Sequence, residues 1–403
     1  MTVSYQSKLL DRIKPAAALT IAAKATELKA AGAPVINLSL GEPDFDTPAH
    51  ILDAAERAMR NGATRYTAPD GSAELKDAVV EKFKRDNGLT YARENISCAN
   101  GAKQSIYNAL LATLDPGDEV LFGAPHWVSY SDAATLAGGV PRAVRCGAES
   151  DYKLTPAALE AAITPATRWV ILNSPANPSG AVYSQAEYQA LGVVLARYPR
   201  VLILSDEIYE HIYYLETPFV SFAQACPELF ERTVIVNGVA KAYAMTGWRI
   251  GYLAAPPELA RVVSKIQSQT TANPCSISQA AATQALVGPQ EFIGVARAEY
   301  RARRSLIGEG LTRIFGAPIP QPDGAFYVFP DVSAFLGREL EDGLCADTDI
   351  ALASILLERG HVACVPGSAF GTPGHIRFSF ATSPDKLRQA IANLGTLLGT
   401  ATA

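Results

Sequence analysis

The chain has 403 residues, 48% of them hydrophobic, and a formal net charge of -5. Such a length and apolar content support a large core and two domains, or one domain with a sizeable appendage. No basic run stands out, so the electrostatic footprint of a nucleic-acid or anionic-membrane binder is missing.

In chain order, the opening MTVSYQSKLLDRIK lacks a signal-peptide core, and no apolar run is long enough to span a bilayer. A cytoplasmic location is the expectation. Six scattered cysteines (Cys98, Cys146, Cys226, Cys275, Cys345, Cys364) show no Cys-x-x-Cys and no metal-ligand spacing, as suits buried small hydrophobes in a reducing compartment. The segment after Pro15, AAALTIAAKATELKAAG, holds strong helix formers and stops at Gly32. VINLSLGEPDFDTP follows as a short strand entering a loop. Its Asp44 and Asp46 suit turn chemistry at least as well as catalysis. Pro48 to Arg60 is amphipathic and helical, ended by Asn61-Gly62. RYTAPDGSAELKDAVVEKFKRDNG is a turn and a helix stopping at Gly88, and the pattern assigns no role to Tyr66 in that turn.

From about residue 95, short apolar runs alternate with helices, the rhythm of a doubly wound α/β domain. The strand ISCA runs into Asn100-Gly101-Ala102-Lys103 and a helix. Small residues at a helix start expose N–H groups that can seat a phosphate, although many such turns bind nothing. DEVLFGAPHWVSY puts Trp127 just past a strand end, either as core or as a flat stacking surface for an aromatic ring. Thr155-Pro156 opens a helix, and RWVILNSPANPSG is a buried strand whose loop holds Asn177. Ser184 and Glu187 then form a capping box. VLILSDEIYEH is an apolar strand ending at Asp206, with Tyr209 three residues on. Thr233 to Val236 is a further strand, stopped by Asn-Gly, and Lys241 follows among small residues. A lysine in so apolar a setting loses hydration and part of its preference for charge, which makes it a nucleophile toward a carbonyl. An ordinary surface lysine is the bland alternative. Arg249 lies eight residues further, before the apolar run Ile250 to Ala254. Pro256 to about Phe315 reads as helical, with RARR (301–304) as a solvated face. PDGAFYVFPD is a strand of a smaller domain, and a helix and strand lead from there to Arg377.

Parallel strands put their C-terminal ends at one sheet edge, where open α/β folds bind ligands. The 100–103 turn, Asn177, Asp206 with Tyr209, and Lys241 would therefore converge. No metal site is implied. A pyridine ring bearing a phosphate and an aldehyde suits the set. Asp206 would keep the ring nitrogen protonated, Lys241 would bond the aldehyde carbon, and Arg249 with the 101–103 turn would hold the phosphate.

The stretches GEPDFDTP, WVSY, NSPANPSG, SDEIYEH and NGVAKAYAMTGWRIGY resemble the motifs of fold type I, pyridoxal-phosphate-dependent class I aminotransferases. They are most similar to the bacterial aspartate and aspartate/prephenate aminotransferase subgroup, from about Arg12 to residue 384. The resemblance implies an α/β fold with a doubly wound, mostly parallel sheet and a smaller α+β domain built from both chain ends. Its expected divisions are an arm over 1–46, a large domain over 47–300 and a small domain over 301–403. It implies a homodimer with shared active sites and pyridoxal 5'-phosphate as cofactor. Lys241 matches the catalytic lysine bonded to the cofactor, and Asp206 the partner of the ring nitrogen. Asn177 and Tyr209 match ligands of the ring oxygen, and Trp127 the stacking tryptophan. Arg249, Gly101, Ala102 and Lys103 match the phosphate site, which Tyr66 would reach from the partner subunit. Arg377 matches the clamp on the substrate α-carboxylate, with Gly41, Asn177 and Trp127 beside it. A guanidinium fork meets a carboxylate bidentately. Without the resemblance, Arg377 reads as a strand arginine paired at the surface.

The implied reaction is transamination by a ping-pong mechanism between an L-amino acid and a 2-oxo acid. Lys103 and Lys14 match groups that read an acidic side chain. Ala16 and Ala18 stand where Ser and Thr are usual, and alanine cannot donate to a carboxylate, so acidic binding is expected to be weaker or broader. His126 replaces a common Tyr and reads as a neutral filler ahead of a further contact. Acidic substrates come first: aspartate or glutamate with 2-oxoglutarate or oxaloacetate, and prephenate as a further candidate. Neutral or aromatic amino acids are the runner-up. A lyase on the same fold, or a regulatory protein on an aminotransferase body, are the other classes weighed.

Overall fold

The computed structural model describes residues 5–13, 17–340 and 343–399. Its strands are β1 (Ile36–Asn37), β2 (Ile96–Ala99), β3 (Glu119–Ala124), β4 (Val140–Arg145), β5 (Thr167–Asn173), β6 (Leu202–Asp206), β7 (Thr233–Gly238), β8 (Gly251–Ala254), β9 (Tyr327–Val328), β10 (Val362–Ala363), β11 (Val365–Pro366) and β12 (Ile376–Ser379). Seven form one sheet in the order β2-β8-β7-β6-β5-β3-β4. Strand β8 is antiparallel to both neighbours, and the remaining pairings are parallel. Two reversals cancel, so β2 points the same way as the parallel set.

Apart from the edge strand β4, which is mostly exposed, the sheet is buried on both faces. Val120, Phe122, Trp169, Ile171, Leu204, Val234 and Val236 share one core. Their alternate neighbours Leu121, Val170, Leu172 and Ile203 share another, and Ile235 joins a third. Covering both faces is what turns each strand into a near-continuous apolar run. Each fully buried Val, Leu or Ile contributes about 1.5–3 kcal/mol relative to exposure.

A further core joins the two chain ends. Ile36 and Leu38 pack with Ile307 and Leu311, with Val328, Val362 and Ile376, and with Leu387 and Leu394. Here β1 pairs in parallel with β10, and β12 lies antiparallel between β11 and β9. This is the smaller α+β unit expected from the motifs. Tyr209 and Ile212 reach into the same core from the loop after β6, so the two units share side chains.

Two expectations need correction. The helical run over 256–315 is three helices, Pro257–Thr270, Ser276–Val287 and Glu291–Phe315. Asn273-Pro274 and Gly288-Pro289 fall in the breaks, where proline withholds an amide proton. The RARR stretch is only partly solvated. Arg303 is 6% exposed and bonds Asp44 at 2.6 Å, while Arg304 lies 5.3 Å over the Tyr214 ring. The long helix turns this side toward the chain-end core, which the charge pattern did not reveal. Among the described residues no helix is long and apolar enough to cross a membrane.

Candidate active site

The register brings Asn173 opposite Asp206, and Asp206 opposite Val236, at the C-terminal edge of the sheet. Gly238 and Ala99 both pair with Gly251 at that edge. Polar residues that follow these strand ends therefore gather in one place.

The 100–103 turn makes an anion seat. The helix Ala102–Leu111 has no side-chain cap, so its first turn presents amide protons and a positive dipole end. Gly101 holds φ +90, and a Cβ there would stand 2.5 Å from Arg249 Nη2, so glycine alone lets the guanidinium approach. Arg249 is itself left-handed, with φ 56, and Nη1 donates to the Thr246 carbonyl at 2.8 Å. Lys103 lies 5.1 Å over the Trp127 ring. Loss of water and the Arg249 charge lower its pKa, while Asp132 opposes the shift.

Lys241 leaves the loop after β7 half-buried, and Nζ donates to the Gly41 carbonyl at 2.5 Å. Burial lowers its pKa to about 8; Glu42 opposes this, and Arg249 and Arg377 add to it. Asp206 is buried, and Oδ2 accepts the Tyr130 hydroxyl at 2.6 Å while Oδ1 accepts the Ile208 amide at 3.3 Å. Burial raises Asp206 to about 6 against the pull of those hydrogen bonds and of Lys241. Tyr209 stands 6.0 Å from Lys241 Nζ, ring centroid to nitrogen, and shares a 2.6 Å hydrogen bond with the Tyr327 hydroxyl.

Arg377 reaches in from β12 and is 3% exposed. Nη1 donates to Asn177 Oδ1 at 2.9 Å, Nη2 donates to the Ser39 carbonyl at 2.5 Å, and Nε is buried with no partner. Aromatic rings flank it, Tyr327 at 4.5 Å and Phe370 at 5.0 Å. Among the described residues no carboxylate pairs with this guanidinium. A buried cation without a counter-charge is costly, and the orphaned Nε marks a seat for an anion. The surface ion pair that the strand alone suggested is not present.

The structure thus brings together Lys241, Gly41, Asp206, Tyr209, Asn177 and Arg377, and sets Arg249 against Gly101, Ala102 and Lys103 with Trp127 beside them. It leaves Tyr66 apart, 91% exposed on a loop tied down by Ser276 and Gln279. Lys14, Ala16 and the side chain of Ala18 lie outside the described residues. His126 packs 4.6 Å from Phe122, and burial lowers its pKa to about 4, so it stays neutral. Tyr130 and Tyr327 were missed; WVSY and GAFY contain them, but only the folded contacts reveal their work. Elsewhere Asp86, Glu210 and His211 bring possible ligand atoms within 4.8 Å of one another. Glu210 is already taken by Lys82, Asn87 and Asn237, which makes this a buried charge network.

A water-poor amine, a buried carboxylate, an uncapped helix end beside Arg249 and an orphaned guanidinium fit pyridoxal 5'-phosphate and an amino-acid carboxylate. The fold and these donors define a pyridoxal-phosphate enzyme of the doubly wound type. The family model for aminotransferase class I and II matches residues 33–394. The chain is 51% identical over 392 residues to the aspartate/prephenate aminotransferase of Cereibacter sphaeroides, covering 97% of this chain and 98% of that protein. It is 50% identical over 376 residues to an aspartate aminotransferase of Rhizobium meliloti, covering 93% and 92%. Among solved structures, the Rhizobium meliloti aspartate aminotransferase superposes with a TM-score of 0.94 at 48% identity, covering 97% and 98%. The Thermus thermophilus aspartate aminotransferase with maleate gives 0.90 at 41% identity, covering 97% and 99%. The chain belongs to the class I and II aminotransferase family. It is a pyridoxal-phosphate-dependent aminotransferase, working on amino acids and 2-oxo acids.

Proposed function

We propose that its natural substrates are dicarboxylic: aspartate or glutamate as donor, and 2-oxoglutarate or oxaloacetate as acceptor, with prephenate a further acceptor. The observation that carries this is a pair of cationic seats of different character. Arg377, buried with an orphaned Nε, suits the α-carboxylate that every amino acid carries. Lys103, exposed over Trp127, suits a second carboxylate. The names of the Cereibacter and Rhizobium relatives support the same substrates. Lys14 belongs to this reading by resemblance alone.

In this reading Asp206 would hold the ring nitrogen, Asn177 and Tyr209 the ring oxygen, Trp127 a ring face, and Arg249 with Gly101, Ala102 and Lys103 the phosphate. Pyridoxal phosphate, when bound, supplies an aldehyde that condenses with amines and a ring that takes up an electron pair. With the cofactor bound, the Lys241 amine would be the group that takes up and passes on the proton of the substrate Cα. A pKa near 8 leaves a large share of this amine neutral in mildly basic solution. Arg377 fixes the substrate so that Cα meets Lys241. Donor and acceptor use one site in turn, hence ping-pong kinetics.

Tyr66 supports a homodimer: its exposure leaves it free to serve the phosphate site of a second copy. The divisions 1–46, 47–300 and 301–403 and a cytoplasmic location complete the reading. Mixing the cofactor-loaded protein separately with aspartate, glutamate, phenylalanine and alanine, and following its visible band, tests the substrate class. Rapid conversion by the two dicarboxylic donors alone is expected. Faster conversion by phenylalanine or alanine would overturn the acidic reading.

A further inference from the structure

Tyr327 enters the site from the smaller unit and touches three of its parts at once. It is fully buried on β9. Its hydroxyl lies 2.6 Å from the Tyr209 hydroxyl, and its ring lies 4.5 Å under the Arg377 guanidinium. The same hydroxyl fills the space that any side chain at Gly41 would need, and the Gly41 carbonyl is what Lys241 donates to.

A phenol has one proton to give. If Tyr209 donates to the cofactor ring oxygen, its own oxygen must accept from Tyr327. The direction of the Tyr209–Tyr327 hydrogen bond then follows. We propose that Tyr327 is a positioning residue with two separable parts: its hydroxyl donates to Tyr209 and strengthens it as a donor to the ring oxygen, and its ring is the floor that orients Arg377 toward the substrate carboxylate. This rests on the reading of Tyr209 and Arg377 above. Chains of hydrogen bonds polarise one another, so the second phenol strengthens the first. A buried guanidinium over an aromatic face gains attraction that needs no counter-charge, which suits an arginine kept free for a ligand.

The charged and titratable groups around the pair are Asp206 and Tyr130 from the sheet side, Lys241 over the Tyr209 ring, Arg377 over the Tyr327 ring and Tyr300 from the helix Glu291–Phe315. Of these, Arg377 and Tyr300 feel the Tyr327 phenol directly, so the Tyr209→Phe control is needed to set the scale of the shift.

Tyr327→Phe removes the hydroxyl and keeps the ring, whereas Tyr327→Leu removes both. Two readings on the cofactor-loaded protein separate the parts: the pH midpoint of its visible chromophore, and the Kd for the unreactive dicarboxylate succinate. Tyr327→Phe should raise the midpoint by about half a unit while keeping succinate affinity within about twofold. Tyr327→Leu should shift the midpoint similarly and weaken succinate by about tenfold. Tyr209→Phe serves as the control and should raise the midpoint further. A midpoint that moves in Tyr209→Phe and stays put in Tyr327→Phe overturns the relay while sparing the reading of Tyr209. A midpoint unmoved in Tyr209→Phe overturns that reading and the relay with it. Equal succinate affinity in the Phe and Leu variants overturns the role of the ring.

Discussion

Tyr130, two residues into the helix Ser129–Leu136, gives its hydroxyl proton to Asp206, the last residue of β6, across 2.6 Å of buried interior. The bond holds a carboxylate where water cannot, yet burial still wins and lifts Asp206 from 3.8 to about 6. The folded chain therefore binds an extra proton between those values. Stability from this group is present below the unfolded value and is lost as pH rises through about 6. Asp206→Asn should then stabilise the cofactor-free protein by about 1–3 kcal/mol at pH 7.5, and the gain should fade toward pH 4. Thermal unfolding at the two pH values checks this; an equal gain at both would refute the linkage. The same variant should lose at least about a hundredfold in kcat, because an amide does not keep a ring nitrogen protonated.

Arg377 presents the opposite balance, a buried cation with no acidic partner among the described residues. Arg377→Lys keeps the charge but loses the fork, and kcat/KM for aspartate should fall by about a hundredfold. Steady-state kinetics and succinate binding should report the same loss. A fall confined to kcat, with succinate bound as before, would remove Arg377 from carboxylate recognition.

The inner strands of the large sheet were legible because both faces are buried, so each is an apolar run that ends where the backbone meets polar loops, whereas the exposed edge strand β4, VPRAVR, carries no such run and was not read. Asn177, Asp206 and Lys241 could be placed at one edge for that reason. Tyr130 and Tyr327 could not, since their partners lie 76 and 118 residues away and any core tyrosine has the same local pattern. Arg303 misled for a related cause. A run of arginines on a helix looks solvated until the packing partner, here the loop carrying Asp44, is known. The exposure of Tyr66 likewise has no signature in its turn sequence.

Lys103 offers a test of specificity rather than of catalysis. Its ammonium sits on the Trp127 face with its pKa lowered by lost water and by Arg249. Lys103→Ala should cut kcat/KM for aspartate by about 10- to 100-fold and that for alanine far less, since only the first has a second carboxylate. Competing the two donors in one reaction measures the ratio directly. An equal loss for both would assign Lys103 to the phosphate alone.

Tyr66 is 91% exposed, and in the proposed homodimer it serves the partner's site. Lys241→Ala should abolish turnover, and reduction with borohydride should no longer leave the cofactor mass on the chain. Tyr66→Ala should weaken cofactor binding and slow the reaction sharply. In a mixed dimer of these two variants, one site combines Lys241 of the Tyr66→Ala chain with the intact Tyr66 of the other. That site is whole, and its twin carries both defects. Random reassociation makes half of the dimers mixed, so coexpression should restore about a quarter of the wild-type activity. If Tyr66 acted within its own chain, both sites of a mixed dimer would be defective and mixing would restore nothing. Purifying the mixed dimer through two different tags, then measuring its activity and cofactor content, distinguishes the two arrangements.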